Sequence, residues 1–157
     1  MSVSRFERFS QALSVLTRYW HKIAADEMEK YGLKGPFSVY LITLRRHEEG
    51  LTAARLSELC GRDKADVSRS VSVMEKSGFV QKRRVGRNLY RAKIVLTEAG
   101  KIAADHIAER ADLAVQAGGY GITEEERTVF YRTLDKIAQN LQQLSQEGLP
   151  PLQNTKE

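Results

Sequence analysis

The stretch LSELCGRDKADVSRSVSVMEKSG, residues 56–78, leaves little choice of fold. Thr52 is placed to cap a short helix, AARLSELC, that Gly61 closes. A second helix opens near Asp63 and carries Val67, Val71 and Met74 at spacings of 4 and 3 before Gly78 stops it. Two short helices joined by a tight turn at Gly61-Arg62 form a helix-turn-helix. With that narrow apolar stripe turned inward, the second helix presents Lys64, Ala65, Ser68, Arg69 and Ser72 outward. Slim side chains let a helix lie close to a surface, as the DNA major groove requires. Lys64 and Arg69 can reach guanine edges or phosphates, and Ser68 and Ser72 phosphates or bases.

The residues that follow add charge. FVQKRRV, then Gly86-Arg87-Asn88, then LYRAKIVL reads as a β-hairpin, with Tyr90, Ala92, Ile94 and Leu96 alternating with Leu89, Arg91, Lys93 and Val95. One face packs while much of the other stays basic. From Arg62 to Lys93 there are ten Lys and Arg (Arg62, Lys64, Arg69, Lys76, Lys82, Arg83, Arg84, Arg87, Arg91 and Lys93) against Asp63, Asp66 and Glu75, a local net of +7. The whole chain of 157 residues carries +5, so the remainder sums to −2. Charge focused in this way builds a field for a polyanion. Arg83, Arg84, Arg87 and Arg91 cluster around a hairpin tip that can enter an adjacent minor groove.

The flanks read as helices. Over residues 5–30, Phe6, Phe9, Leu13, Leu16, Trp20 and Ile23 recur at 3 and 4, a heptad-like seam. Pro36 fits the first turn of a second helix, PFSVYLITLRRH, that is apolar nearly all round and should be buried. Thr97 caps a long helix with Ile102, His106, Ile107, Leu113 and Ala117 roughly on one side. After GGYG, Thr123 and Glu126 make a capping box, and Phe130, Leu134, Ile137, Leu141 and Leu144 repeat at 4, 3, 4 and 3. A seam of this kind needs a partner, which a second copy of the chain supplies symmetrically or the other terminal helix supplies within one subunit.

This order of elements, with SELCGRDKADVSRSVSVMEKSGFVQKR and KIVLTEAGK as its most specific parts, resembles the MarR family of bacterial winged-helix regulators over residues 5–145. The resemblance implies a mainly α (α+β) fold: a winged helix-turn-helix with a small β-hairpin wing and an all-helical dimerisation region. It implies a homodimer whose terminal helices interlock, a palindromic operator in double-stranded DNA, and a small-molecule pocket between the two regions. The expected domains are an N-terminal dimerisation helix at 1–34, a DNA-binding domain at 35–96, C-terminal dimerisation helices at 97–147 and a frayed tail at 148–157. The wing departs from the family pattern, an acidic residue followed shortly by arginine, because Asn88 and Tyr90 occupy the matching positions. Either Arg87 or Arg91 then supplies the minor-groove contact.

Other classes fit poorly. His21, His47 and His106 are isolated in sequence and Cys60 has no neighbouring base, so neither a metal-ligand pattern nor a nucleophile-base pair is present, and no enzyme or cofactor is expected. Folding could still bring His47, Glu48 and His106 together in a metal sensor. A winged helix used only for protein contacts is the other alternative. Cys60, sharing a helical face with Leu56 and Leu59, is expected as a small core residue rather than a redox switch. MSVSRFERFSQ is no secretory signal and no apolar run is long enough to span a membrane, so a cytoplasmic protein is expected. Trp20, Tyr31, Phe37 and Tyr40, near His21 and Arg45, either line a pocket for a phenolic or other aromatic acid or belong to the core.

Overall fold

A computed structural model describes residues 4–84 and 92–151. The chain divides into two compact units, Met1–Gln116 and Ala117–Glu157. The first begins with α1, Arg5–Glu29, whose Ser4 cap accepts from the Glu7 amide while Glu7 accepts from the Ser4 amide. A single 3-10 turn, Gly35–Phe37, leads into α2, Ser38–Arg45, where the sequence pattern predicts one continuous helix. The tight entry follows from packing: a Cβ on Gly35 would lie 3.1 Å from the Ala25 backbone, so α1 and the turn meet at a distance only glycine tolerates well.

Helices α3, Ala53–Cys60, and α4, Lys64–Lys76, form the helix-turn-helix. Thr52 and Asp63 cap them, each accepting from the amide three residues on. Gly61, with φ of 59°, ends α3, and the Arg62 amide closes the turn by donating to Ser57 O at 3.1 Å. Gly78 takes φ of 80° beyond α4, where the Phe79 amide reaches Met74 O and the Gly78 amide reaches Glu75 O. Both ends are the reciprocal closures that satisfy a helix's last carbonyls.

The buried side of α4 is Val67, Ser70, Val71 and Met74. It packs into a core containing Tyr40, Leu41 and Leu44 of α2, Leu56 of α3 and Met28 of α1. Each such aliphatic side chain contributes about 1.5–3 kcal/mol relative to exposure. Leu59, expected in this core, is 40% exposed, and Cys60 is half-buried at its edge. On so short a helix only Leu56 points squarely inward.

Strand β1, Val80–Arg83, pairs antiparallel with β2, Lys93–Leu96, in the register Val80 to Leu96 and Lys82 to Ile94. Leu51 bridges the far side of β2, exchanging both backbone hydrogen bonds with Ile94. That contact buries Val95, which strand alternation places on the basic face. Gly50 covers it so closely that a Cβ there would stand 2.4 Å from Val95 Cγ1.

Helix α5, Glu98–Gly118, starts under Thr97, whose hydroxyl accepts from the Gly100 amide and donates to Gly78 O. Its core side is Gly100, Ala103, Ala104 and Ile107; Ile102 and Leu113, expected on that side, are 64% and 52% exposed. The helix lies against the Phe79 carbonyl, and such close approach selects small residues. In the second unit, α6, Glu124–Glu147, opens with the Thr123–Glu126 capping box. No helix among the described residues is long and apolar enough to cross a membrane.

A Cβ at Gly100 would sit 1.9 Å from Phe79 O, which is backbone and cannot step aside. Gly100→Ala is therefore expected to cost about 1–3 kcal/mol, the usual range for overpacking, read as a lower midpoint in urea or thermal unfolding. An unchanged midpoint would mean that α5 can withdraw from Phe79 freely.

Candidate nucleic-acid interface

Opposite the α4 core stripe the helix surface is Lys64, Ala65, Ser68, Arg69, Ser72, Val73 and Lys76, all exposed except half-buried Ser72. Val73 and Lys76 extend the face beyond the residues expected from sequence. They lie one turn beyond Arg69 and Ser72, and continuing the helical period to the end of α4 would have found them. Asp66, in the first turn of α4, turns aside: its Oδ2 accepts from the Tyr40 hydroxyl at 2.7 Å, and its Oδ1 lies 3.9 Å from Arg69 Nη2.

The basic hairpin follows directly. Arg83 and Arg84 are exposed, and Arg83 Nη2 donates to the Glu49 carbonyl at 2.8 Å, which draws its side chain toward the loop before β2's bridge partner Leu51. Lys82 pairs with Glu75 at 3.4 Å and Lys93 with Glu49 at 3.8 Å. These are solvated contacts, each worth at most about 1 kcal/mol, and a polyanion can displace the carboxylates. Among the described residues, no ion pair engages Lys64 or Lys76. Arg62 is exposed in the turn between α3 and α4. Arg87, Asn88 and Arg91, expected at the wing tip, lie outside the described residues.

The aromatic group expected near an effector divides in two. Trp20 and His21 wall a cavity of about 470 Å³, together with Ala24, Ala25, Gly35, Pro36, Ser38, Val39, Cys60 and Arg62. Tyr31, Phe37, Tyr40 and Arg45 are not on that wall. Tyr40 is buried beneath α4 and Phe37 packs against the core. The Tyr31 hydroxyl is 2.7 Å from His106 Nδ1, with its ring edge-on to Phe79. Arg45 Nε donates to Asp105 on α5. Helical rotation explains the split: α2 turns Val39 and Ser38 to the cavity and Tyr40, one position on, to the core. His106 thus meets a tyrosine, and no group of three or more His, Cys, Asp or Glu converges as metal ligands among the described residues.

The seam residues are exposed in the single chain. Phe6, Phe9, Leu13 and Leu16 of α1 are 40% to 76% exposed, as are Phe130, Leu134 and Leu141 of α6 at 41% to 50%. Ile137 and Leu144 are half-buried.

A helix-turn-helix closed by an antiparallel hairpin, with helices before and after it, is a winged-helix protein. The fold matches that of a MarR transcriptional regulator from Methanosarcina mazei Go1 with a TM-score of 0.78, 22% identity, and coverage of 91% of this chain and 95% of that one. It matches the S. aureus MepR–DNA complex with a TM-score of 0.78, 19% identity, and coverage of 85% and 97%. By sequence the chain is 25% identical over 104 residues to an uncharacterized HTH-type transcriptional regulator, YybA, of Bacillus subtilis (strain 168), covering 66% of this chain and 69% of that one. The model of the MarR family matches residues 31–88, which include the whole helix-turn-helix. The MarR-family match thus covers the helix-turn-helix of a winged-helix fold.

Burial pushes the Cys60 thiol above its ordinary range, against smaller opposing effects of the Thr43 hydrogen bond and the Arg62 charge. The thiolate is the reactive form. Labelling by a disulfide reagent should be slow at pH 7 and still be rising with pH above about 8.5, where a free cysteine is already half ionised. A rate equal to that of free cysteine at pH 7 would contradict this environment.

Proposed function

We propose that this chain is a ligand-responsive repressor that binds an inverted-repeat operator as a homodimer. The observation that carries the reading is the outward face of α4, where short polar side chains are flanked by Arg69, Lys64 and Lys76 and adjoin a basic strand. A helix of that profile fits the major groove. The likeness to MepR, whose structure is of a DNA complex, supports duplex DNA as the partner. Lys64, Ala65, Ser68, Arg69 and Ser72 meet the groove; Arg62, Lys76, Arg83 and Arg84 meet phosphates. Arg87, Asn88 and Arg91 continue the basic wing in sequence, and either arginine supplies the minor-groove contact.

The exposed apolar stripes support a second copy as partner. Phe6, Phe9, Leu13 and Leu16, with Phe130, Leu134, Ile137, Leu141 and Leu144, keep a heptad spacing that a solvated helix has no use for. The dimer brings two copies of α4 to half-sites about one helical turn, roughly 34 Å, apart. Blocking a promoter then needs only occupancy. The cavity walled by Trp20 and His21 takes the effector. Arg62 is the only permanent charge on that wall among the described residues, which suits an aromatic acid or phenolate.

Sites selected from random duplex should be inverted repeats, and affinity should fall with salt at a log-log slope of about −0.9 per phosphate neutralised. Lys76→Gln should flatten that slope by about one unit with little change in preferred sequence. A salt-independent affinity, or no duplex binding at all, would leave a protein-contact module as the better reading. Replacing Leu134 and Leu141 with Glu should give a monomer with little operator binding, measured by sedimentation and anisotropy; an unmodified chain that is monomeric at micromolar concentration would defeat the dimer. Trp20 is the sole tryptophan, so binding of an aromatic carboxylate should quench intrinsic fluorescence. Compounds that quench it should release operator DNA, and quenching without release would separate the cavity from regulation.

A further inference from the structure

We propose that Tyr40 is a positioning residue for DNA reading: its hydroxyl holds the Asp66 carboxylate against the core, so that Arg69 stays free to reach DNA. The inference rests on the reading of α4 as the DNA-facing helix. Asp66 is the one acid within the first turn of that helix, next to Ala65 and one turn before Arg69. A carboxylate there is favourable for the helix, because the first turn carries a partial positive charge. Facing a phosphate backbone, the same carboxylate is repulsive. It also threatens Arg69, since residues three apart on a helix are neighbours.

The structure resolves this conflict with one buried group. Tyr40 is 1% exposed and its hydroxyl donates to Asp66 Oδ2 at 2.7 Å, from beneath α4 rather than from its surface. The other oxygen, Oδ1, is 3.9 Å from Arg69 Nη2, too long for a hydrogen bond, and the Arg69 side chain remains 71% exposed. Burial, and next the hydrogen bond to Asp66, push the Tyr40 hydroxyl up to about 12, so it remains a donor throughout the neutral range. Without that donor, Asp66 loses its inward anchor. Its carboxylate then closes on Arg69, pairing the arginine that should meet DNA and leaving a negative charge at the groove.

The test is a double-mutant cycle on the full-length protein, read as affinity for its selected operator and as salt slope. Tyr40→Phe keeps the ring that fills the core and removes only the donor. It should weaken operator binding about tenfold and flatten the salt slope by about one unit, as loss of one cationic contact does. Asp66→Asn keeps an acceptor for Tyr40 but no charge, and should bind at least as tightly as the unmodified chain. The double variant should bind within about twofold of Asp66→Asn, because no carboxylate is left to capture Arg69. Were Tyr40 only a packing group, that rescue would not occur. Operator affinity of Tyr40→Phe equal to the unmodified chain's, or a double variant as weak as Tyr40→Phe, overturns the proposal. So does a tenfold loss in Asp66→Asn with the fold intact by circular dichroism, an outcome that remains decisive even if Tyr40→Phe does not fold. Absence of duplex binding by the unmodified chain would instead overturn the DNA-binding reading on which the cycle depends.

Discussion

The seating of α4 is the contact on which the rest of the molecule depends. Val67, Val71 and Met74 meet Tyr40, Leu41, Leu44 and Leu56, and all seven are at most 2% exposed. Burying a stripe this narrow fixes the rotation of the helix, because turning it by one residue would expose valines and bury Arg69 or Ser68. The outward face is therefore determined by what the core accepts. Local chemistry agrees at both ends, with Asp63 capping the start and Gly78 closing the finish, so little of the stability of α4 depends on anything that must touch a partner.

The same core explains how a basic hairpin remains attached to a basic helix. Strand β2 gains a second backbone partner in Leu51, and Gly50 lies close on Val95, so the hairpin base is anchored on the edge opposite β1. Glu49 and Glu75 lie among the cations and relieve repulsion without removing the charge, since their pairs with Lys93 and Lys82 are solvated and long. At Gly100, close approach to Phe79 ties the start of α5 to the end of α4. The turn after α4, the root of the hairpin and the next helix thus form one packed junction.

Chemistry that looked alike in one dimension is sorted by that packing. Tyr31 and Tyr40 both place a hydroxyl on a titratable partner, His106 in one case and Asp66 in the other, and neither faces the cavity beside Trp20. Arg62 lies at once on the cavity wall and in the turn before α4. A single side chain thus borders both the cavity and the start of the helix that follows it.

The sequence by itself determined the helices near their observed limits, apart from the 3-10 turn that precedes α2, because caps, glycine stops and 3.6-residue periodicity are local and act through the backbone of the segment itself. Thr52, Gly61, Asp63, Gly78, Thr97 and Thr123 are all where the reading placed them. The charge asymmetry that points to a polyanion was equally legible, since it needs only counting. Tertiary structure decided what each side chain of a face actually meets. Ala103 and Ala104 join the expected Ile107 on the core side of α5, while Ile102 and Leu113 stay exposed, because the close approach of Gly100 to Phe79 turns small residues inward at the start of the helix. Val95 is buried by a glycine more than forty residues earlier in the chain, and Asp66 is drawn inward by a tyrosine on another helix. Such contacts depend on how closely and at what rotation two distant segments meet, a property of the assembled core and of no segment alone.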